Sequence, residues 1–155
     1  LVDGDLRKPV LHTFFFQSHQ RGLTDYVLGE PLERVMLPTA QPNLWLLPTG
    51  PLPPDPSDFL GSAAMETRFK ELVDRFDLVL FDAPPIGLVS DVMNFAQRID
   101  AILYLAPLGR EKKALTLKGV EMLKLVAAPV IGLACNFVNY YEPITYKYGY
   151  TKYTT

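Results

Sequence analysis

The sequence predicts an α/β domain with a doubly wound, mostly parallel sheet. Three observations carry that prediction. Short, continuous, β-branched and aromatic runs recur along the chain, as strands covered on both faces do. Stretches of helical period separate them, which is the alternation that right-handed crossovers produce. Two of the runs end in aspartate, at the rim where open α/β sheets bind their ligands.

In chain order, "LVDGD" is the end of a first strand. A weaker strand, "NLWLLP" (43–48), follows a turn-rich stretch. The segment "PTGPLPPDPSDF" then places five prolines between Pro48 and Pro56. That density excludes helix and central strand, so it predicts a stiff loop leading into a helix capped at Ser57 or Asp58. Residues 65–76 put Met65, Phe69, Leu72, Val73 and Phe76 on one stripe of a helix. "DLVLFD" (77–82) is a strand ending at Asp82. Ser90 caps a helix to about Arg98, with Asp91 near its positive end. "AILYLAP" (101–107) and "VIGLACNFV" (130–138) are two further strands. The helix between them runs from Lys113 to Val126, with Leu115, Leu117, Val120, Leu123 and Leu125 as its apolar residues. Trp45 is expected to pack, and the single cysteine, Cys135, to be a buried thiol.

The totals narrow the function classes. At 155 residues the chain suits one domain. A net charge of −2 and a pI near 5.7 give no footprint for nucleic acid. One cysteine forms no internal disulfide, in keeping with a reducing compartment. No apolar run approaches the roughly 20 residues of a membrane span. His12 and His19 have no metal-ligand spacing.

The chemistry concentrates at the acidic strand ends. "LVDGD" leaves Asp3 and Asp5 two apart at one tip, and "LVLFDAPP" leaves Asp82 at another. A carboxylate there needs donors or a cation. Mg²⁺ suits, since it binds through one or two carboxylates plus phosphate oxygens.

"LVDGDLRKP" resembles the second Walker-type motif, and "LVLFDAPP" the Walker B motif, of the bacterial tyrosine kinases (BY-kinases) that work with capsule and exopolysaccharide export. "LPTGPLPPDPSDFLGS" is similar to the proline-rich segment this family carries between them. The resemblance runs in order over nearly the whole chain and implies a P-loop NTPase type of fold, N-terminally truncated. It implies ATP and Mg²⁺ as cofactors, with Asp5 and Asp82 holding the metal. Asp3, or Asp5 in its place, takes the proton from a tyrosine hydroxyl, and Arg7 stabilises transferred charge. Asn136 matches an asparagine that contacts adenine in related folds.

After the last strand comes "YYEPITYKYGYTKYTT", with six of the eight tyrosines: Tyr140, Tyr141, Tyr146, Tyr148, Tyr150 and Tyr153. The expected division is therefore a partial kinase domain, 1–139, and a flexible phosphoacceptor tail, 140–155. The resemblance implies trans-phosphorylation within a homo-oligomer. It also implies a membrane activator, a polysaccharide co-polymerase or a fused transmembrane segment, that keeps the protein cytoplasmic at the inner membrane face.

GxxxxGK[ST], the loop that wraps phosphates, does not occur in the 155 residues. The expectation is that residue 1 falls inside a longer parent domain, and that this piece alone transfers no phosphate. Two other readings are weighed: a partitioning or positioning ATPase of the ParA/MinD type, and a non-catalytic interaction module.

Overall fold

The computed structural model describes residues 1–17, 20–86, 93, 95–109 and 113–137. Its organising strand is the first. β1 (Val2–Asp3) pairs in parallel with β4 (Phe81–Asp82), setting Val2 against Phe81 and Asp3 against Asp82. On its other side Val2 bridges Leu47, again in parallel, just beyond β3 (Trp45–Leu46). β3 turns back antiparallel on β2 (Leu37–Pro38). A second parallel pair joins β5 (Ile102–Pro107) to β6 (Val130–Asn136), ending with Pro107 opposite Asn136. The mostly parallel α/β reading therefore stands. β4 is much shorter than the run that predicts it.

The helices are α1 (Leu11–Phe14), α2 (Leu23–Val27), α3 (Leu32–Val35), α4 (Pro56–Gly61), α5 (Ala63–Arg75) and α6 (Lys113–Leu125), with a 3-10 turn at Ala96–Arg98. α4 is capped at Asp55, two to three residues earlier than expected. The Asp55 carboxylate accepts the Asp58 N–H at 3.0 Å, and Pro56 fills the first helical position. α5 starts at Ala63 because the Ser62 hydroxyl accepts the Met65 N–H at 3.1 Å. The expected cap at Ser90 and Asp91 lies outside the described residues.

Among the described residues two hydrophobic clusters form. In the first, Met65, Phe69 and Leu72 of α5 pack with Val2, Leu47 and Phe95. Val73, expected on the same stripe, is exposed. In the second, Tyr104 and Ala106 of β5 meet Leu123 of α6. Here only Val120 and Leu123 of the expected α6 stripe pack, while Leu115, Leu117 and Leu125 are exposed. Gly119 is what lets the helix close on the strand, since a Cβ there would sit 2.4 Å from the Tyr104 hydroxyl oxygen.

Cys135 corrects the expectation of a buried thiol: it is exposed. Leu103 and Leu105 of β5, which alternate with Tyr104 along the strand, are exposed, and so are Ile131 and Leu133 of β6. Trp45 is in a strand as expected, but 41% exposed.

Candidate functional site

The site is built where β1 and β4 stop. Both strands run the same way and in register, so Asp3 and Asp82 leave the sheet side by side at its carboxyl rim. Gly4 permits that closeness. Its N–H donates to the Asp82 carbonyl at 2.8 Å, and a Cβ at this position would lie 2.0 Å from the Phe81 ring. Phe81 cannot easily yield, because its ring centroid is 4.5 Å from that of Phe95 and 6.2 Å from that of Phe69.

Asp3 is fully buried. Its main-chain N–H donates to the Leu47 carbonyl at 2.9 Å, and its own carbonyl accepts the Thr49 hydroxyl at 3.2 Å. Side-chain Oδ2 accepts the Leu11 N–H at 3.1 Å, at the start of α1, whereas Oδ1 is buried with no hydrogen-bond partner. Asp5 is half-buried, and its Oδ1 accepts the N–H groups of Arg7 and Lys8 at 3.1 and 3.0 Å. That carboxylate shapes the loop after β1, as aspartate does in local side-chain turns.

Burial pushes the Asp3 carboxyl above its usual range, with the Asp5 charge adding to the shift. The N–H groups of Leu11 and Asp5, and the charge of His12, work in the opposite direction. Asp82 is also pushed up, first by burial and then by the charges of Asp3 and Asp5. Asp82 thus feels the charges of Asp3 and Asp5, and a cation would relieve the two raised carboxyls, Asp3 and Asp82. Among the described residues no group of three or more His, Cys, Asp or Glu is placed to hold a metal by protein ligands alone. Hard oxygen donors with one unsatisfied buried lone pair nevertheless fit Mg²⁺, which keeps several waters and asks for few carboxylates.

The other candidates are distributed differently. Arg7 is exposed on the loop beside Asp5. Asn136 ends β6 in the second parallel pair, where its side-chain oxygen accepts the Phe137 N–H at 2.8 Å. The six tail tyrosines, Tyr140 to Tyr153, lie outside the described residues.

Sequence reasoning missed the groups that hold Asp3, Leu11 and Thr49, and the charge of His12 that acts on it. Thr49 is fully buried in the proline-rich segment, and its only sequence signal is a small polar residue between Pro48 and Gly50, just past a strand. Tyr26 was likewise not singled out. It is buried, donates to Glu71 Oε2 at 2.9 Å, and has the Arg68 guanidinium 5.1 Å above its ring. Burial and the Glu71 carboxylate push this phenol up to about 12. Ultraviolet titration should show one phenol ionising near that pH, and Tyr26→Phe should abolish that step.

No protein-family model matches the chain. Similar proteins include the tyrosine-protein kinase YwqD of Bacillus subtilis, 31% identical over 98% of this chain and 65% of that protein. The tyrosine-protein kinase CpsD of Streptococcus agalactiae is 31% identical over 90% of this chain and 61% of its own length. The chain thus spans a little under two thirds of these relatives. Among solved structures, the kinase domain of the Escherichia coli tyrosine kinase ETK superposes with a TM-score of 0.84 at 27% identity, over 97% of this chain and 60% of that one. The Pyrococcus furiosus cell division ATPase MinD gives 0.65 at 26% identity, over 85% and 56%. The fold is that of the P-loop nucleotide-using proteins.

Proposed function

Since homologues of this chain, matched over nearly all of it, are bacterial tyrosine-protein kinases, we propose that it is part of an ATP-dependent, autophosphorylating protein-tyrosine kinase serving capsule or exopolysaccharide export. The observation that carries the reading is the in-register pairing of Asp3 with Asp82 at the carboxyl rim, with one buried Asp3 oxygen left unsatisfied.

Asp82 and Asp5 would hold Mg²⁺, with Asp3 beside Asp82 in the register of β1 and β4. When bound, the metal neutralises charge on the nucleotide phosphates. A phenol titrates near pH 10, so an attacking tyrosine needs a carboxylate within reach to take its proton. Asp3 is shielded and Asp5 half-exposed, which favours Asp5 as the acceptor. Arg7, exposed next to it, offers a guanidinium to the transferred group. Asn136 keeps its amide NH₂ to offer to adenine.

The substrate is the chain's own tail, presented by a neighbouring copy: Tyr140, Tyr141, Tyr146, Tyr148, Tyr150 and Tyr153, in segment 140–155 after a catalytic unit ending near 139. Each phosphate adds about −1.5 to −2 charges, which disfavours docking of the tail at an acidic rim and promotes release of the neighbour. Among the described residues no helix is long and apolar enough to cross a membrane. Attachment to the inner membrane face is assigned, as the resemblance implies, to an activator protein or a fused transmembrane segment.

The test is to incubate protein expressed from the whole reading frame with Mg-ATP and to map phosphotyrosine by tandem mass spectrometry. Phosphate on tyrosines within 140–153 is the expected result. ATP hydrolysis with an unmodified tail would overturn the kinase reading in favour of a positioning ATPase, the second reading that the likeness to MinD supports.

A further inference from the structure

The proline-rich segment is so far only a connector, yet its first three residues are held from both sides. On one side, the parallel pairing of β1 runs from Leu47 N–H to the Leu1 carbonyl at 2.8 Å, then from Asp3 N–H to the Leu47 carbonyl at 2.9 Å. The next contact in that series, to the Asp3 carbonyl, is made by the Thr49 hydroxyl at 3.2 Å. On the other side, the carbonyls of Pro48 and Thr49 accept the N–H groups of Leu23 and Thr24, at 2.7 and 3.0 Å, where α2 begins. Because its carbonyl is occupied by α2, Thr49 presents its side chain toward β1.

Two glycines make this double hold possible. A Cβ on Gly22 would lie 1.9 Å from the Pro48 carbonyl oxygen, and one on Gly50 would lie 2.7 Å from Asp25 Oδ2. Asp25 itself accepts the Gly22 N–H at 2.8 Å and so closes the ring of contacts. Gly50 has φ +77, a conformation that other residues rarely adopt.

We propose that Thr49 is a positioning residue for Asp3, its hydroxyl, anchored by α2, fixing the main chain from which the Asp3 carboxylate is aimed. The inference rests on the reading of Asp3 as a site carboxylate and assigns a purpose to the segment that leads from β3 to α4. Asp3 is then held at its N–H by Leu47, at its carbonyl by Thr49 and at Oδ2 by Leu11, which leaves the buried Oδ1 without a hydrogen-bond partner. Valine keeps the shape of threonine and removes the donor, leaving the buried Asp3 carbonyl without this bond.

Amide hydrogen exchange of the chain without nucleotide, followed by NMR across low urea concentrations, tests the proposal. The reporter is the Leu11 N–H, whose acceptor is the Asp3 carboxylate. In Thr49→Val it should exchange about tenfold faster, the loss of one well-made hydrogen bond, by a local opening insensitive to urea. Thr49→Ser, which keeps the hydroxyl, should return the parent rate. An unchanged Leu11 rate in Thr49→Val would overturn the proposal. So would Ser behaving like Val, or acceleration that rises with urea equally at Leu11 and at Phe69 in α5, because each would mark Thr49 as packing alone. If Thr49→Val does not fold, Thr49→Cys replaces it under the same readings, its thiol being a weak donor. Nucleotide takes no part in this measurement, so faster local exchange in a protein that transfers no phosphate would sink only the kinase reading.

Discussion

Gly4→Ala should destabilise the chain by about 3 kcal/mol, the upper end of what one added methyl costs a packed interior. The new carbon would lie 2.0 Å from Phe81 Cε1 and 2.7 Å from the Asp82 carbonyl oxygen. Relief from the first contact requires the Phe81 ring to move, but it is stacked against Phe95. Relief from the second requires β1 to draw away from β4, which breaks the bond from Gly4 N–H to Asp82. Urea unfolding should show a lowered midpoint with little change in slope. Gly132→Ala in β6 is the comparison. A Cβ there meets only Leu103 Cδ1 at an ordinary 3.5 Å, so the change should be close to neutral. Equal losses at the two positions would contradict the close approach assigned to Gly4.

Asp82→Asn should act in opposite directions on stability and on metal binding. The folded-state pKa of Asp82 is raised, by burial first and then by Asp3 and Asp5. Its ionised form is therefore less favourable in the folded chain than in the unfolded one. For a group shifted this way, the favourable contribution is complete below the ordinary carboxylate pKa and is lost as pH rises through the folded value. At pH 7 the parent carries that cost and the asparagine variant does not. The urea midpoint of Asp82→Asn should accordingly exceed the parent's at pH 7, and the advantage should vanish near pH 3. Over the same comparison, Mg²⁺ affinity should fall at least about tenfold, since even groups behind the ligands of a metal site matter that much. A midpoint lowered at pH 7 would mean that Asp82 is a structural anchor, and the shared electrostatics of the rim would have to be reconsidered.

The parts of the fold that were readable in the sequence are those whose pattern is long or repeated. β5, β6 and α6 each occupy 6 to 13 residues, enough for an apolar run or a helical period to register. The acidic tips were readable because a charge directly after a buried strand is costly, so its presence carries information. α2 and α3 are five and four residues long, too short for any period, and α2 owes its start to the carbonyls of Pro48 and Thr49, far away in sequence. The β2–β3 pairing is two residues deep and includes Pro38, which a strand pattern excludes except at an edge. The periodicity of α6 overstated its packing, because only Val120 and Leu123 of its apolar residues reach the cluster at β5, beside the close approach that Gly119 allows. At the candidate site, residue type is what drew attention to Asp3, Asp5 and Asp82. What holds them (a threonine hydroxyl, an amide at the start of α1 and a glycine without side chain) leaves almost no mark in a linear reading.

The segment that bears Thr49 has a thermal consequence. From Pro48 to Pro56 every second residue or so is a pyrrolidine ring, and such rings are restricted in φ before the chain folds at all. Little freedom remains there to be surrendered, so the entropic penalty of fastening the loop is small. With the Asp55 cap gripping its far end and α2 and β1 holding Pro48 and Thr49 at the near end, the segment should stay seated as temperature rises.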